Sequence, residues 1–263
     1  MPVGACDQTK MIVEGRQGKT RALVVVAKAP LEGFVKTRLC PHLSPAQAAG
    51  LYECLLSDIV GKMASFEEAD SWLAFAPEGA DYFRQYHCGK RLLAQRGKDL
   101  GERLHHIFVD LFRMSYKEVI IVDSDSPTVP LSSIERAYEW LSQKSADVVL
   151  GPSADGGYYL VGLRGPAEDI FRAIPWSTDA VLDLTLQRAS AMRLSVALLP
   201  QAYDIDVAEN LNRLWQDFMA SEEARELAPN TFAYLRSLYG RKASAQHEII
   251  GGGTEKTHDE PQR

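Results

Sequence analysis

The stretch from Glu118 to Thr128, Glu-Val-Ile-Ile-Val-Asp-Ser-Asp-Ser-Pro-Thr, narrows the possible folds of this chain more than any other. Val119-Ile120-Ile121-Val122 is β-branched and unbroken by polar residues. That is the pattern of a strand buried on both faces in a parallel sheet. The run stops at Asp123-Ser124-Asp125-Ser126-Pro127, and Pro127 cannot continue a ladder. An acidic pair is therefore predicted at the carboxyl edge of a strand, where open α/β sheets bind ligands. In an extended chain Asp123 and Asp125 point the same way. Carboxylates are hard oxygen ligands suited to Mg2+ or Mn2+, above all when substrate phosphates fill the other positions. Asp, Ser and Pro are also turn formers, so the same residues read as a strand-ending turn.

The rest of the chain supplies companions for that strand. Ala22 to Ala27 is a second buried run, followed by a loop through Lys36 and Arg38. Ser44-Pro45-Ala46-Gln47 is a capping box with proline at the first helical position, opening a helix to about Met63. Strands are predicted at 71–76, 147–150, 158–163 and 195–199. Helices are predicted at 99–114, 132–143, 178–192, 206–219 and 222–238, the last interrupted by Pro229. Alternating strands and helices over about 200 residues argue for one α/β domain, 21–240, with a mostly parallel sheet. The 158–163 strand follows its predecessor too closely for a helical crossover, so it is expected to turn back and make the sheet mixed. Residues 1–20 read as a flexible leader. Within it, Gly15-Arg16-Gln17-Gly18-Lys19-Thr20 resembles a P-loop but has two residues between its glycines, where a P-loop has four. Residues 241–263, with Gly251-Gly252-Gly253, read as a disordered tail.

Four sets of polar residues can carry chemistry. Lys36 and Arg38 are cations two apart beyond the first strand, placed to hold a diphosphate or else simply solvated. Gly33 either lets the backbone approach a ligand or forms a turn. Gln95 and the Gly97 backbone can read a nucleobase edge, while Asp99 reads as an N-cap. Asp155-Gly156-Gly157-Tyr158 is either a backbone pressed against a ligand or a hairpin turn. Asp204 and Asp206 repeat the Asp-x-Asp spacing, although Asp206, three before Glu209, also reads as an N-cap. Thr178 reads as the N-cap of its helix, and Trp176 as core or as a stacking platform for an acceptor. The six histidines form no HExxH spacing, and Ser153 lacks a nucleophile elbow.

Composition excludes some functions. The net charge of -6 gives no basic surface for nucleic acid. No apolar run reaches the roughly 18 residues that would span a bilayer. Cys6, Cys40, Cys54 and Cys88 form no CxxC pair, as expected of reduced thiols in a cytoplasmic protein.

Together, Ala27-Lys28-Ala29-Pro30 through Lys36-Thr37-Arg38-Leu39, Asp99 to Leu104, Asp123 to Pro127, Gly151-Pro152 with Asp155 to Leu160, Trp176-Ser177-Thr178 and Asp204-Ile205-Asp206 carry a resemblance. In this order, over roughly Arg21 to Trp215, they resemble a bacterial glycosyltransferase-A-like family of unknown function in the nucleotide-diphospho-sugar transferase superfamily. Phospholactate and molybdenum-cofactor guanylyltransferases are relatives in that superfamily. The resemblance implies a Rossmann-like glycosyltransferase-A fold: a mixed, mostly parallel central sheet flanked by helices. It implies Mg2+ or Mn2+ held by Asp125 first, with Asp123, Asp204 and Asp206 beside it. It implies a nucleotide among Ala27, Lys28, Gly33, Lys36, Arg38, Gln95, Gly97 and Asp123. The small-molecule acceptor would lie near Gly156, Gly157, Tyr158 and Trp176, and Asp155, Lys36 and Arg38 would serve catalysis. The glycine-rich loop with Arg-Met of many sugar nucleotidyltransferases is missing, and Lys36-Thr37-Arg38 stands in its place. The first expectation is glycosyl transfer from a nucleotide-diphospho-sugar. Nucleotidyl transfer from a nucleoside triphosphate is the alternative, and a nucleotide-binding module without turnover is a third. The oligomeric state is left open.

Overall fold

The computed structural model of the protein describes residues 19–86 and 91–251. Its centre is a seven-stranded sheet in the order β3-β2-β1-β4-β6-β5-β7. The strands are β1 (Arg21–Ala27), β2 (Asp70–Phe75), β3 (Arg91–Ala94), β4 (Glu118–Val122), β5 (Val148–Pro152), β6 (Tyr158–Arg164) and β7 (Val196–Leu198). All pairings are parallel except those of β6, which runs antiparallel to both β4 and β5. The segment from Ser153 to Gly157 is too short to cross the sheet, so the chain must return beside β5.

The unbroken apolar runs are explained by the two faces they serve. In β1, Leu23, Val25 and Ala27 pack on one face, and Ala22 and Val24 on the other. In β4, Ile120 and Val122 share the first face, and Val119 and Ile121 the second. The first face is covered by α1 (Pro45–Ala64) and α3 (Leu131–Ser142) through Leu56, Ile59, Ile134 and Tyr138. The second is covered by α2 (Leu100–Arg113) through Leu104, Ile107, Phe108 and Leu111, and by α4 (Val181–Ala191) through Ala189. Among the described residues no helix is long and apolar enough to cross a membrane.

The capping box at Ser44 forms as its spacing predicts. The Ser44 hydroxyl accepts from the Gln47 N–H, and the Gln47 side chain accepts from the Ser44 N–H. Asp99 caps α2 through the Glu102 N–H. Two expected caps are not formed. Thr178 donates its hydroxyl to the Pro175 carbonyl, and α4 begins only at Val181. Asp206 gives its carboxylate to Arg38, and α5 (Ala208–Ala220) starts after Val207 with no side-chain cap. The four-residue β3 has no apolar-only pattern to mark it in the sequence. After α6 (Glu222–Leu227), Pro229 begins a new helix, α7 (Pro229–Gly251), which runs through the boundary placed at Arg241. The leader to Gly18, most of the P-loop-like segment, and residues 252–263 lie outside the described residues.

The last helices are not an appendix. The second face of α1, with Leu51, Tyr52 and Leu55, packs with Leu211, Leu214 and Phe218 of α5 and Leu235 of α7. At the start of α7 the buried Asp58 of α1 accepts from Asn230 N–H (3.0 Å), Asn230 Nδ2 (2.7 Å), Thr231 N–H (2.8 Å) and the Thr231 hydroxyl (2.6 Å). One carboxylate thus satisfies donors that a helix start leaves orphaned, and its charge complements the helix dipole. Asp58→Ala is expected to destabilise the protein by about 3 kcal/mol, since hydrogen bonds to charged groups contribute about 1.5–3 kcal/mol and act here as a unit. Thermal unfolding should show a fall of roughly 6–12 °C. A fall of under a degree would show that α7 is anchored elsewhere.

Candidate active site

The carboxyl ends of β1 and β4 lie side by side, because the two strands pair in parallel from Arg21 opposite Glu118 to Val25 opposite Val122. The loop after β1 therefore meets the acidic turn after β4. Within that turn Asp123 folds back on itself. Its Oδ1 accepts from the N–H groups of Asp125 (3.3 Å) and Ser126 (3.2 Å), and its Oδ2 from the Ser126 hydroxyl (2.8 Å). Burial, and then the charge of Asp125, push the Asp123 carboxyl above the usual carboxylate range. The two acids of the pair thus do different work, contrary to the extended-chain expectation: Asp123 builds the turn and Asp125 is presented by it.

Asp125 meets Lys36. The lysine Nζ lies 2.8 Å from Asp125 Oδ1 and 4.0 Å from Asp206 Oδ1, and Arg38 lies 2.7 Å from Asp206 Oδ2. Lys36 is only 7% exposed and has a left-handed backbone, φ 50°. Arg38 is on the outside, its side chain 67% exposed. The two loop cations differ: Lys36 is a buried strut and Arg38 a surface arm. The Tyr52 ring lies 5.9 Å from the Lys36 ammonium. The Tyr52 hydroxyl accepts the Lys28 N–H (3.0 Å) and lies 2.8 Å from Ser124 Oγ. Burial and the nearby Asp125 charge push that phenol well above its ordinary range. Lys62 of α1 donates to the carbonyls of Pro127 and Val129, pinning the exit of the acidic turn. Burial brings its ammonium down to about 8. Tyr52 and Lys62 went unnoticed in the sequence because an aromatic on an apolar helix face and a lysine in a last helical turn look structural.

Asp204 and Asp206 reach the cluster through the backbone, since Ile205 N–H donates to the Asp125 carbonyl at 2.9 Å. Asp204 Oδ1 accepts from the Ser153 hydroxyl (3.2 Å). Burial, and then the charge of Asp155, push Asp204 upward. Asp155 Oδ1 accepts from Gly157 N–H (2.9 Å), the hairpin-turn role open to it in the sequence. Gly156, at φ 89°, has no room for a side chain, because a Cβ would stand 2.1 Å from the Asp179 carbonyl oxygen. Tyr158 and Trp176 pack edge to face at 6.4 Å, and Trp176 also meets Phe171. The Tyr158 hydroxyl is buried, so it faces the packing of α4 and not an open mouth. Gln95 is 6% exposed and donates its amide N–H groups to the carbonyls of Ala74 (2.7 Å) and Ala27 (3.4 Å). Gly97 stands at φ 136°, against Glu102 and the Arg103 N–H. Gly33, at φ 77°, has open space around it, and its neighbour Phe34 is 75% exposed.

Among the described residues no three His, Cys, Asp or Glu side chains are grouped closely enough to hold a metal ion by themselves. The donor set nevertheless suits a cation shared with a substrate. Asp125 Oδ1 is buried without a hydrogen-bond donor, its contact to Lys36 being an ion pair rather than an aligned hydrogen bond. Mg2+ is commonly bound through one or two carboxylates with phosphates and water completing its shell.

Known proteins share this arrangement of elements. A family model described as an uncharacterized protein conserved in bacteria (DUF2064) matches residues 59–178. The chain is 28% identical over 200 residues to the 2-phospho-L-lactate guanylyltransferase of Methanothermobacter thermautotrophicus, covering 74% of this chain and 84% of that one. A crystal structure from Desulfovibrio desulfuricans G20, provisionally assigned as a nucleotide-diphospho-sugar transferase, is 31% identical with a TM-score of 0.77. That match covers 84% of this chain and 95% of the other. The CMP:2-keto-3-deoxy-manno-octonic acid synthetase solved with CTP shares the fold alone, at 12% identity and a TM-score of 0.51 over 77% of this chain and 99% of that one. The expected mixed α/β fold is thus the observed one; by its relatives the chain is a transferase, and it belongs with the Desulfovibrio protein to the bacterial family that the DUF2064 model describes.

Proposed function

We propose that the protein is a nucleotidyltransferase. It would join the nucleoside monophosphate part of a nucleoside triphosphate to a small phosphorylated acceptor and release pyrophosphate. The observation that carries this reading is the ion cluster of Lys36, Arg38, Asp125 and Asp206 at the edge of β1 and β4. Two cations from one loop suit the phosphates of a triphosphate and the charge that grows on departing pyrophosphate. In the reaction an acceptor phosphate oxygen bonds to the α-phosphorus as the bond from that phosphorus to the β-phosphate's bridging oxygen breaks. A phosphate monoester is already anionic at neutral pH, with a second pKa near 6, so the nucleophile needs no general base. Glycosyl transfer to a hydroxyl needs a proton acceptor, for which Asp155, with Oδ1 on Gly157 N–H and Oδ2 to spare, is the candidate. The relative from Methanothermobacter, a guanylyltransferase, supports nucleotidyl transfer.

Asp125 and Asp206 would hold Mg2+ or Mn2+, which when bound supplies a Lewis acid to the phosphates. Asp123 would serve by shaping the turn, and Asp204 by supporting its loop. Gln95 bears on the base: with its N–H groups spent on Ala27 and Ala74, its amide offers only an acceptor. Such an acceptor suits any base that presents an N–H donor, guanine with two among them, and the guanylyltransferase relative makes GTP the expected substrate. Glycosyl transfer from a nucleotide-diphospho-sugar is the second reading, favoured by the similarity to the Desulfovibrio structure.

The direct test incubates the protein with each nucleoside triphosphate, a panel of small phosphate monoesters and Mg2+ or Mn2+. Pyrophosphate should appear fastest with GTP. Release of nucleoside diphosphate from a diphospho-sugar, with no pyrophosphate from any triphosphate, overturns the reading in favour of glycosyl transfer. Binding without turnover in both assays would leave only a nucleotide-binding module.

Two sets of variants probe the cluster. Asp125→Asn keeps the shape but removes the charge, and turnover should fall by about 10²–10³, the size of effect seen when one electrostatic stabiliser is lost. Full turnover in that variant would exclude Asp125 from the site. Lys36→Ala and Arg38→Ala should each weaken triphosphate binding about ten- to hundredfold, since a charge-assisted contact is worth about 1.5–3 kcal/mol. Only Lys36→Ala should also lower stability, by about 1–3 kcal/mol, because it strands a carboxylate. Arg38→Ala should stay within about 0.5 kcal/mol in denaturant unfolding. Equal destabilisation by both would show that Lys36 is no strut.

A further inference from the structure

A second recess lies on the α1/α3 side of the sheet, away from Lys36 and Arg38. It is a cavity of about 400 Å3 between the start of α3 and the segment 199–203. Two arginines line it from separate helices, Arg136 of α3 and Arg213 of α5, and no Asp or Glu does. Neither arginine forms an ion pair among the described residues. Arg213 stacks on Tyr203, 4.0 Å from the ring centre, and the Tyr203 hydroxyl donates to Asp217; Arg136 lies 5.9 Å from the centre of Trp140, at the outer edge of such a contact. Stacking orders a guanidinium while leaving its N–H fork free.

The rest of the lining fits the same charge. Thr128, Ser132 and Ser133 bring hydroxyls. Ser133 is 9% exposed and engages the Tyr159 hydroxyl, which donates to the Pro200 carbonyl at 3.1 Å and closes the floor. The first turn of α3 has no acidic residue and no side-chain cap, so the helix dipole there adds to the positive field uncompensated. Val129, Pro130, Leu199 and Ala202 supply apolar wall. The volume lies in the range of about 300–1,000 Å3 usual for small-molecule sites.

We propose that this cavity binds the phosphate group of a small phosphorylated metabolite, with Arg136 and Arg213 as a two-armed clamp. Two guanidinium forks and several hydroxyls match a tetrahedral dianion, which can take donors on three oxygens, better than a planar carboxylate. The lining adjoins the proposed active site along the chain: Thr128 follows the acidic turn, and Tyr203 directly precedes Asp204. The site stands whether the nucleotide reading holds or fails, since none of Lys36, Arg38, Asp125 and Asp206 lines it.

The test is calorimetric titration of the full chain with inorganic phosphate, glycerol 3-phosphate and acetate, without nucleotide or divalent metal. Both phosphates should bind, the organic one more tightly, and acetate should bind at least tenfold more weakly. Arg136→Ala and Arg213→Ala should each weaken phosphate binding at least tenfold, while Arg113→Ala, on α2 across the sheet, should leave it unchanged. Arg213→Lys, which keeps the charge and loses the fork, should fall between. If Arg213→Ala loses its fold with its stacking contact, shown by thermal unfolding, the exposed Arg136 variant decides. Absence of phosphate binding at millimolar concentration overturns the proposal. So does binding that survives both arginine variants, or binding abolished by Lys36→Ala, which would move the anion to the nucleotide site. Equal binding of acetate overturns the choice of phosphate.

Discussion

The candidate site depends on the buried ammonium of Lys36. A charge removed from water must find an opposite charge or lose its own. Lys36 finds Asp125 at 2.8 Å and Asp206 at 4.0 Å, and its left-handed backbone turns it inward to do so. That one group ties the loop after β1 to the turn after β4 and to the segment before α5. A polyphosphate would offer Lys36 another partner of the same sign as the carboxylates. In the proposed reaction the cluster is therefore a ground state waiting for an exchange of partners, and the αL backbone is strain of the kind that persists where surrounding structure over-determines it.

Why the turn after β4 can present Asp125 follows from Asp123. Its oxygens are occupied by backbone and hydroxyl donors of its own turn, and Lys62 fixes the carbonyls beyond Pro127. The turn reading of this segment holds, since Asp123 accepts from the backbone and hydroxyl of its own turn. The turn is built by one aspartate so that the other can face the loop cations. Spacing alone could not assign the roles, because an Asp-x-Asp pair looks the same whether its first member points outward or folds back.

The fold was largely legible for a physical reason. A sheet covered on both faces leaves unbroken apolar runs, and β1 and β4 show them because alternate residues serve opposite layers. The reversal of β6 was legible from chain length, since five residues cannot carry a crossover. What escaped was decided by tertiary contact. The caps expected at Thr178 and Asp206 failed because each side chain had a competing partner, the Pro175 carbonyl and Arg38. The short β3 gives no periodic signal of its own, and it is specified by its neighbour β2, from Trp72 opposite Arg91 to Phe75 opposite Ala94. The asymmetry between Lys36 and Arg38 was equally invisible, as burial of a loop residue depends on what the distant segment 204–206 brings over it.

The reversed strand also explains why the acids converge at all. In a sheet of purely parallel strands, the chain leaving β5 at the carboxyl edge would cross over a helix before re-entering the sheet. Here it re-enters at once as β6, between β4 and β5, so the hairpin tip at Asp155 stays at the carboxyl edge beside the end of β4. The segment after β7 then runs along that tip, with Ala154 N–H on the Ala202 carbonyl and Ala202 N–H on the Pro152 carbonyl. It continues until Ile205 N–H meets the Asp125 carbonyl. Asp204 and Asp206 flank that last hydrogen bond, so their approach to Asp125 is set by backbone pairing rather than by attraction between side chains of like charge. Burial first, and then like charges held together in this way, disfavour the ionised forms, so Asp204 shifts upward beside Asp155 and Asp123 beside Asp125. The fold thus concentrates negative charge that the described side chains only partly neutralise, and the lysine and arginine of one loop supply the part they do.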